Sequence, residues 1–145
     1  MQNLPHHYNV SAAADPEAGI QLRSTGLPDL ESAAPAEFGG PGDKWSPESL
    51  LVASVADCFV LTFKAIASAS KFPWISLTCS VEGTLDKVER LTQFTTFEVK
   101  ASLTIPADTS EVIALRLLAK AEDLCLITNS LTADTHLTAS VQVQQ

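Results

Sequence analysis

Two cysteines are the side chains of this sequence best suited to chemistry. Cys58 lies within the nearly all-apolar stretch DKWSPESLLVASVADCFVLTFKAIAS, and Cys125 follows it 67 residues later. Most buried cysteines are inert small hydrophobes, so packing alone is one explanation for both. Two helices packed on one sheet can also bring such cysteines together. One thiolate could then attack a peroxide and become a sulfenic acid, which the other could resolve as a disulfide.

The remaining candidates for reactive or metal-binding groups are weak. Cys79 falls on the apolar side of a predicted strand, and we interpret it as a core residue. The cysteine count is odd, no CxxC motif occurs and the cysteine spacings do not fit zinc. His6 and His7 are adjacent in a terminal segment. We therefore predict neither a disulfide framework nor a metal site.

The composition argues against several classes of partner. The chain has 9 basic and 17 acidic residues, a formal net charge of −8, and no run of Lys or Arg. Such a surface repels nucleic acid and anionic membranes. The N-terminal MQNLPHHYNVS lacks the basic start and apolar middle of a signal peptide, so we expect a cytoplasmic protein.

One segment is long and apolar enough to be weighed as a membrane span. It runs over residues 50–67 and carries Asp57 and Lys64 near its centre. Each of these charges would cost about 2.5–3.5 kcal/mol in the middle of a bilayer. We therefore predict a buried helix of a soluble protein and no membrane association.

The elements that position the cysteines can be predicted from capping signals and periodicity. A chain of 145 residues is enough for one domain, which we assign to 1–145. Short strands are predicted in 6–34, followed by the loop EFGGPGDKW. Ser46 is a good N-cap and Pro47 suits the first helical position, so a helix should run from there to about Ser70.

The second half of the sequence predicts a hairpin, a helix and a final strand. WISLTCSVEGTLDKV and TQFTTFEVKASLTI read as a long antiparallel pair, and HLTASVQV alternates as a strand with one wet face. TSEVIALRLLAKAEDL reads as an amphipathic helix, with Val112, Leu115, Leu118 and Ala119 on its apolar face. The order indicates an α+β fold. The first helix is apolar on almost every face, so we expect an obligate dimer with that helix near the interface.

The stretch GGPGDKWSPESLLVASVADCFVLTF resembles the signature of the OsmC/Ohr family, the osmotically inducible and organic hydroperoxide resistance proteins. The shared pattern is a Gly-rich loop, then Ser-Pro-Glu, then an apolar helix with a cysteine ten residues after the glutamate. Glu48 and Cys58 have this spacing, and Cys125 in EDLCLITNSL lies where the family has its second cysteine. The order of elements also matches from about residue 8 to the C-terminus.

The resemblance implies a fold and an activity. It implies an antiparallel sheet packed on a long buried central helix and a second helix, in an intertwined homodimer with two sites at the interface. The implied activity is thiol-dependent reduction of organic hydroperoxides to alcohols, with Cys58 as peroxidatic thiolate and Cys125 as resolving thiol. The implied reductant is an external dithiol, such as a dihydrolipoyl group on a protein. No bound cofactor or metal is implied.

The sequence departs from the family pattern at one functional position. On one straight helix Glu48 and Cys58 lie about 15 Å apart in rise and about 80° in rotation, so they cannot touch. In the family an arginine, some thirty residues before that glutamate, bridges the two. No arginine occurs near Pro16, where this spacing falls, and Arg23 is the only one before residue 90. We interpret Arg23 as an ordinary strand residue; Lys44 and Lys64 are the other candidate cations.

Without a cation, burial and the neighbouring Asp57 should raise the pKa of Cys58. This leaves an alternative to the enzyme, namely a dimer that binds an apolar or thiol-bearing ligand with little or no turnover. A third possibility is a structural dimer in which both cysteines are packing. For the first two, the apolar residues available to line a substrate pocket are Trp45, Phe38 and Phe59.

Overall fold

A computed structural model describes all residues, 1–145. The chain forms two compact units, residues 1–50 and residues 51–145. The first unit contains a small antiparallel sheet in the order β1 (Ser11–Ala13), β2 (Ile20–Arg23), β3 (Leu30–Ser32). A short 3₁₀ helix follows at Ala36–Phe38. The short strands predicted in the first third of the sequence are therefore present. The assignment of 1–145 to a single domain stays a prediction.

Helix α1 (Pro47–Ala69) begins where the sequence predicts. The Ser46 hydroxyl accepts a hydrogen bond from the Ser49 backbone N–H at 3.1 Å, and the Ser49 hydroxyl accepts one from the Ser46 N–H at 2.8 Å. This reciprocal pair satisfies donors that the first turn would otherwise leave free. The helix is continuous to Ala69, so no break separates Glu48 from Cys58.

The second unit contains a three-stranded sheet in the order β4 (Ser76–Val88), β5 (Leu91–Pro106), β6 (Asp134–Gln144). Strands β4 and β5 form the predicted antiparallel hairpin, with a register shift between Thr84 and Leu85. Strand β6 pairs with β5 in parallel, so the sheet is mixed rather than wholly antiparallel. The cause is the connection, since a helical crossover between adjacent strands returns the chain in the same direction.

Two helices lie in the crossover between β5 and β6. They are α2 (Glu111–Asp123) and the single-turn α3 (Leu126–Asn129). The Ser110 hydroxyl caps α2 by accepting from the Ile113 N–H at 3.3 Å. Cys125 occupies the N-cap position of α3, a helix that the sequence patterns did not indicate.

The hydrophobic core joins α1, α2 and the central strand β5. Phe59 and Phe63 of α1 are packed there with Phe97 and Leu103 of β5 and Leu118 of α2. The buried face of α2 agrees only in part with the prediction. Leu118 is buried as predicted, and the other buried residues are Ala114, Leu117 and Ala121. Val112 and Leu115 are 67% and 43% exposed. Small Ala side chains at two positions of the buried face allow the helix to approach the strand closely.

Helix α1 is covered on one face only within a single chain. Its buried residues are Val55, Phe59, Phe63, Ile66 and Ala67. By length and composition it could cross a membrane, and 28% of its most apolar window is buried. The core helices of soluble proteins meet the same criterion. One chain therefore covers α1 on one face only, and its coverage by a second copy stays a prediction.

Candidate active site

An open apolar groove of about 470 Å³ runs along α1 in the second unit. The α1 residues that line it recur at the spacing of one helix face, and the start of α3 forms the rest of the lining. These residues are Ser54, Asp57, Cys58, Leu61, Thr62, Ala65, Leu126 and Ile127. Cys58 lines this groove. Cys125, which immediately precedes the two α3 residues, is buried behind the lining.

Cys58 is half-buried in the groove, and the pKa of its thiol is lowered from the ordinary value. Burial by itself raises the pKa of Cys58. Hydrogen bonds from the Ile127 backbone N–H, the Cys125 thiol, the Thr62 hydroxyl and the Leu126 N–H outweigh burial, so the net pKa is lowered. The expectation of a raised pKa is therefore wrong. Uncharged hydrogen-bond donors thus lower the pKa of Cys58 in place of a cation.

Cys125 is held at the end of α2, with 1% of its surface exposed. Its carbonyl oxygen accepts hydrogen bonds from the Thr128 hydroxyl at 3.1 Å and the Asn129 N–H at 3.0 Å. Burial and the nearby Cys58 raise the pKa of Cys125, although Thr128 acts in the opposite direction. Of the two thiols, Cys58 is therefore the more acidic. Both are free thiols in this structure.

Thr62 lies one helical turn after Cys58 and contacts it twice. Its hydroxyl donates to the Cys58 carbonyl oxygen at 2.7 Å, and its Oγ1 lies 3.9 Å from the Cys58 Sγ. A hydroxyl has a single proton, so it can donate either to the carbonyl or to the thiolate. The hydroxyl can turn towards the sulfur when Cys58 loses its proton.

Cys79 behaves as the sequence predicts for a core residue. It lies on β4, packs against the hydrophobic core and is half-buried. Burial and the neighbouring Cys125 raise its pKa to about 11. A thiol with this pKa is almost wholly protonated at neutral pH, so it is a poor nucleophile. Cys79 thus provides an unreactive control within the same chain for alkylation experiments on Cys58.

The cations considered from the sequence do not line the groove. Arg23 pairs with Asp29 at 3.0 Å on the surface of the first unit, as expected for an ordinary strand residue. Lys44 pairs with Glu31 at 3.2 Å in the same unit. Lys64 is exposed on α1 and is absent from the groove lining. The one ionisable carboxylate in the lining is that of Asp57.

Glu48 lies in the first turn of α1 and has an unusual environment. Its Oε2 atom is buried and has no hydrogen-bond partner. A buried carboxylate oxygen without a donor is costly, so this atom calls for a partner that the single chain does not supply. Because α1 is continuous, Glu48 and Cys58 are still separated by about 15 Å of helix rise.

The three aromatic residues predicted to line a pocket have different environments. Phe59 is 1% exposed in the core and does not line the groove, because one residue along a helix turns a side chain by about 100° away from Cys58. Trp45 is 48% exposed and lines a separate cavity of about 600 Å³ in the first unit, together with Glu31 and Lys44. Phe38, also in the first unit, is 60% exposed.

Several groove residues were not identified from the sequence. Thr62 could have been found, since four residues after Cys58 lies on the same helix face. Leu126 and Ile127 act through their backbone N–H groups, which residue type does not reveal. They could be found only by recognising the short helix that follows Cys125.

Comparison with known proteins supports the fold and the motif. The family model of the OsmC-like proteins matches residues 40–140. The uncharacterized protein YmaD of Bacillus subtilis is 24% identical over 113 residues, which are 76% of this chain and 75% of YmaD. Residues 40–140, which the family model matches, include Glu48, Cys58 and Cys125.

Solved structures share the fold over nearly the whole chain. An OsmC-like protein of unknown function from Vibrio cholerae aligns with a TM-score of 0.84 at 17% identity, covering 94% of this chain and 100% of the other. An organic hydroperoxide resistance protein, OsmC, from Legionella pneumophila aligns with a TM-score of 0.76 at 24% identity, covering 97% and 100%. These similarities establish the α+β architecture.

Proposed function

Since the chain belongs to the OsmC-like protein family, as the match over residues 40–140 shows, we propose that it is a cysteine-based peroxidase that reduces organic hydroperoxides to alcohols. The observation that carries the proposal is the Cys58–Cys125 pair. A thiol with a lowered pKa lines an open apolar groove, and a second thiol, whose pKa is raised, lies beside it. Attack on a peroxide needs a thiolate, and disulfide formation needs a second thiol beside it.

The proposed reaction begins with the Cys58 thiolate, which attacks the distal oxygen of the hydroperoxide. The S–O bond forms as the O–O bond breaks, the sulfur loses two electrons, and the alkoxide takes up a proton and leaves as the alcohol. Cys125 then attacks the Cys58 sulfenic acid; the S–S bond forms and the hydroxide departs as water with the Cys125 proton. An external dithiol, such as a dihydrolipoyl group, reduces the disulfide by thiol–disulfide exchange.

The groove favours organic hydroperoxides over hydrogen peroxide. Its walls include Leu61, Ala65, Leu126 and Ile127. Apolar surface of this kind gains free energy by covering the hydrocarbon part of a substrate. Hydrogen peroxide has no such part, so it would gain nothing from these walls.

We propose that the protein works as a homodimer in the cytoplasm. Most of the apolar window of α1 is uncovered in one chain, and a second copy would cover apolar surface of this extent. A partner would also be a source of the donor that Glu48 Oε2 lacks. A reducing compartment keeps Cys58 and Cys125 as thiols between turnovers. The proposal includes no bound cofactor or metal.

The test is a non-reducing peptide map after one equivalent of cumene hydroperoxide. We expect a rapid, stoichiometric Cys58–Cys125 disulfide, with Cys79 still alkylatable. Cys125→Ser should trap Cys58 as a sulfenic acid that dimedone captures, and Cys58→Ser should leave Cys125 reduced. If Cys58 remains a thiol in the wild-type protein at this dose, the peroxidase proposal is wrong.

One observation favours a second candidate, a dimer that binds an apolar or thiol-bearing ligand with little turnover. The groove contains no cationic side chain, and its one ionisable carboxylate, Asp57, is adjacent to Cys58. A negative charge there opposes the negative charge of the thiolate and the negative charge that develops on the leaving oxygen. The peptide map separates the two candidates, since a binding protein would leave Cys58 unoxidised.

A further inference from the structure

Asp57 has a position that the proposed reaction does not use. It precedes Cys58 directly, is exposed at the rim of the groove and lines the groove with Cys58. The other lining side chains are apolar, hydroxyl-bearing or the thiol itself. Within one chain, Asp57 is therefore the only charged side chain that lines the groove beside Cys58.

No cation of the second unit neutralises Asp57 by pairing with it. The salt bridges of the structure are Arg23–Asp29 and Lys44–Glu31, and neither includes Asp57. The backbone N–H groups of Leu126 and Ile127 are the donors that could attract a substrate anion. They already stabilise the Cys58 thiolate, so they offer little to a second negative group.

The charge of Asp57 acts on a substrate in the groove because Asp57 and Cys58 share the groove lining. A hydroperoxide that occupies the groove at Cys58 therefore also lies beside Asp57. Charges this close lie within the Debye length of about 8 Å at physiological ionic strength, so salt screens them only partly. A carboxylate on the substrate would therefore be repelled, and a cationic group would be attracted.

From this arrangement we propose that Asp57 is a specificity-determining residue, which makes the groove select uncharged or cationic organic hydroperoxides and disfavour anionic ones such as free fatty acid hydroperoxides. The substrate class rests on the proposed peroxidase function. The charge selection itself concerns any reagent that approaches Cys58, so it can be measured separately.

The first experiment measures charge selection without peroxide. Iodoacetamide and iodoacetate alkylate thiolates by the same displacement and differ mainly in charge. The ratio of their second-order rate constants at Cys58 is read by mass spectrometry and divided by the same ratio for N-acetylcysteine. We expect wild-type protein to disfavour iodoacetate, Asp57→Asn to recover about three- to tenfold of that loss, and high salt to reduce the difference between the two.

The second experiment measures substrate choice. The para-carboxylate of cumene hydroperoxide and its methyl ester are compared by kcat/KM with an excess of a neutral dithiol reductant. We expect wild-type protein to prefer the ester, Asp57→Asn to lose most of that preference and Asp57→Lys to reverse it. Asp108→Asn removes the same charge from an exposed turn outside the groove and should leave both ratios unchanged.

The outcomes separate this proposal from the function it rests on. If Asp57→Asn leaves both ratios unchanged, or if Asp108→Asn changes them equally, Asp57 does not determine specificity. If neither hydroperoxide is consumed while the alkylation ratio still depends on Asp57, the peroxidase function and the hydroperoxide class are overturned. Charge selection by the groove then stands for ligands other than hydroperoxides.

Discussion

Cys58 and Cys125 lie close enough to shift each other's pKa in opposite directions. Burial raises the pKa of both thiols, but the Cys125 thiol helps to lower the pKa of Cys58, and Cys58 helps to raise the pKa of Cys125. The two residues are 67 positions apart in the sequence and meet where the start of α3 lies against α1. Cys125, which should resolve the intermediate, thus has the raised pKa. Cys58, which should attack the peroxide, is the more acidic thiol. This relationship makes the reactivity of Cys58 depend on Cys125 even before any peroxide is present.

The first prediction concerns Cys125→Ala. Removing the donor should raise the pKa of Cys58, because burial then meets less compensation from hydrogen bonds. In the wild type, the rate of Cys58 alkylation by iodoacetamide should rise with pH through a midpoint below that of an ordinary cysteine. In Cys125→Ala the midpoint should move to higher pH, so alkylation at neutral pH should be slower.

Cys125→Ser is the matched control, since a serine hydroxyl keeps a donor at the same position. Its Cys58 midpoint should stay closer to the wild-type value than that of Cys125→Ala. Cys79, whose pKa is raised to about 11, should be alkylated slowly in all three proteins. Identical midpoints for Cys58 in the alanine and serine variants would show that hydrogen bonding from Cys125 has no part in the acidity.

The second prediction concerns Thr62→Val. Valine keeps the branched shape of threonine and removes the hydroxyl that lies 3.9 Å from the Cys58 Sγ. The pKa of Cys58 should rise, and the rate of sulfenic acid formation at neutral pH should fall severalfold, about tenfold for each unit of pKa. Thr62→Ser retains the hydroxyl and should restore the rate. Stopped-flow measurement with cumene hydroperoxide, together with the alkylation midpoint, distinguishes this effect from general destabilisation.

The features that could be predicted from the sequence are those with local signals. Ser46 and Pro47 predicted the start of α1, and alternation predicted the long hairpin of β4 and β5. The parallel pairing of β6 had no local signal, because strand direction depends on the crossover formed by α2 and α3. The buried face of α2 was predicted only in part, because Leu and Val also occur on its exposed side.

The candidate site shows the same division between local and tertiary information. The motif around Cys58 and the position of Cys125 were sufficient to predict the pair. The acidity of Cys58 was predicted with the wrong sign, because the donors that lower its pKa are backbone N–H groups of Leu126 and Ile127. Phe59 was assigned to the pocket from residue type, whereas the helix turns it into the core.

A third prediction concerns the cap of α1. Ser46 is buried, and its hydroxyl accepts from the Ser49 N–H while its own N–H donates to the Ser49 hydroxyl. Ser46→Ala should lower the free energy of unfolding by about 1 kcal/mol, with a range of about 0.5–2 kcal/mol. Urea denaturation followed by circular dichroism measures the change.

Ser46→Thr keeps a hydroxyl at the cap and provides the control for Ser46→Ala. It should recover part of the lost stability, since threonine is a weaker but effective N-cap. The midpoint pH of Cys58 alkylation should be unchanged in both variants, because Ser46 is not among the donors that lower the pKa of Cys58. Equal stability of Ser46→Ala and the wild type would mean that the capping pair is not formed in solution.

The last prediction concerns Gly83, which faces Phe97 across the hairpin. A Cβ atom at this position would lie 2.8 Å from the Val52 Cγ2, 2.9 Å from the Phe94 Cε1 and 3.0 Å from the Phe97 Cε1. The two phenylalanine rings are stacked with centroids 5.3 Å apart, and Phe97 is fully buried. The glycine therefore provides the space in which α1 and the two rings meet on the strand.

Gly83→Ala should destabilise the fold by about 1–3 kcal/mol, the usual cost of overpacking a well-packed core. The sign is informative, because alanine in a strand would otherwise gain about 0.5–1 kcal/mol over glycine through lower chain entropy. Val52→Ala removes the closest of the three contacting atoms, so the double variant should be more stable than the sum of the two single changes predicts. Urea denaturation of all four proteins measures the coupling. A Gly83→Ala variant as stable as the wild type would contradict the close packing of α1 on β4.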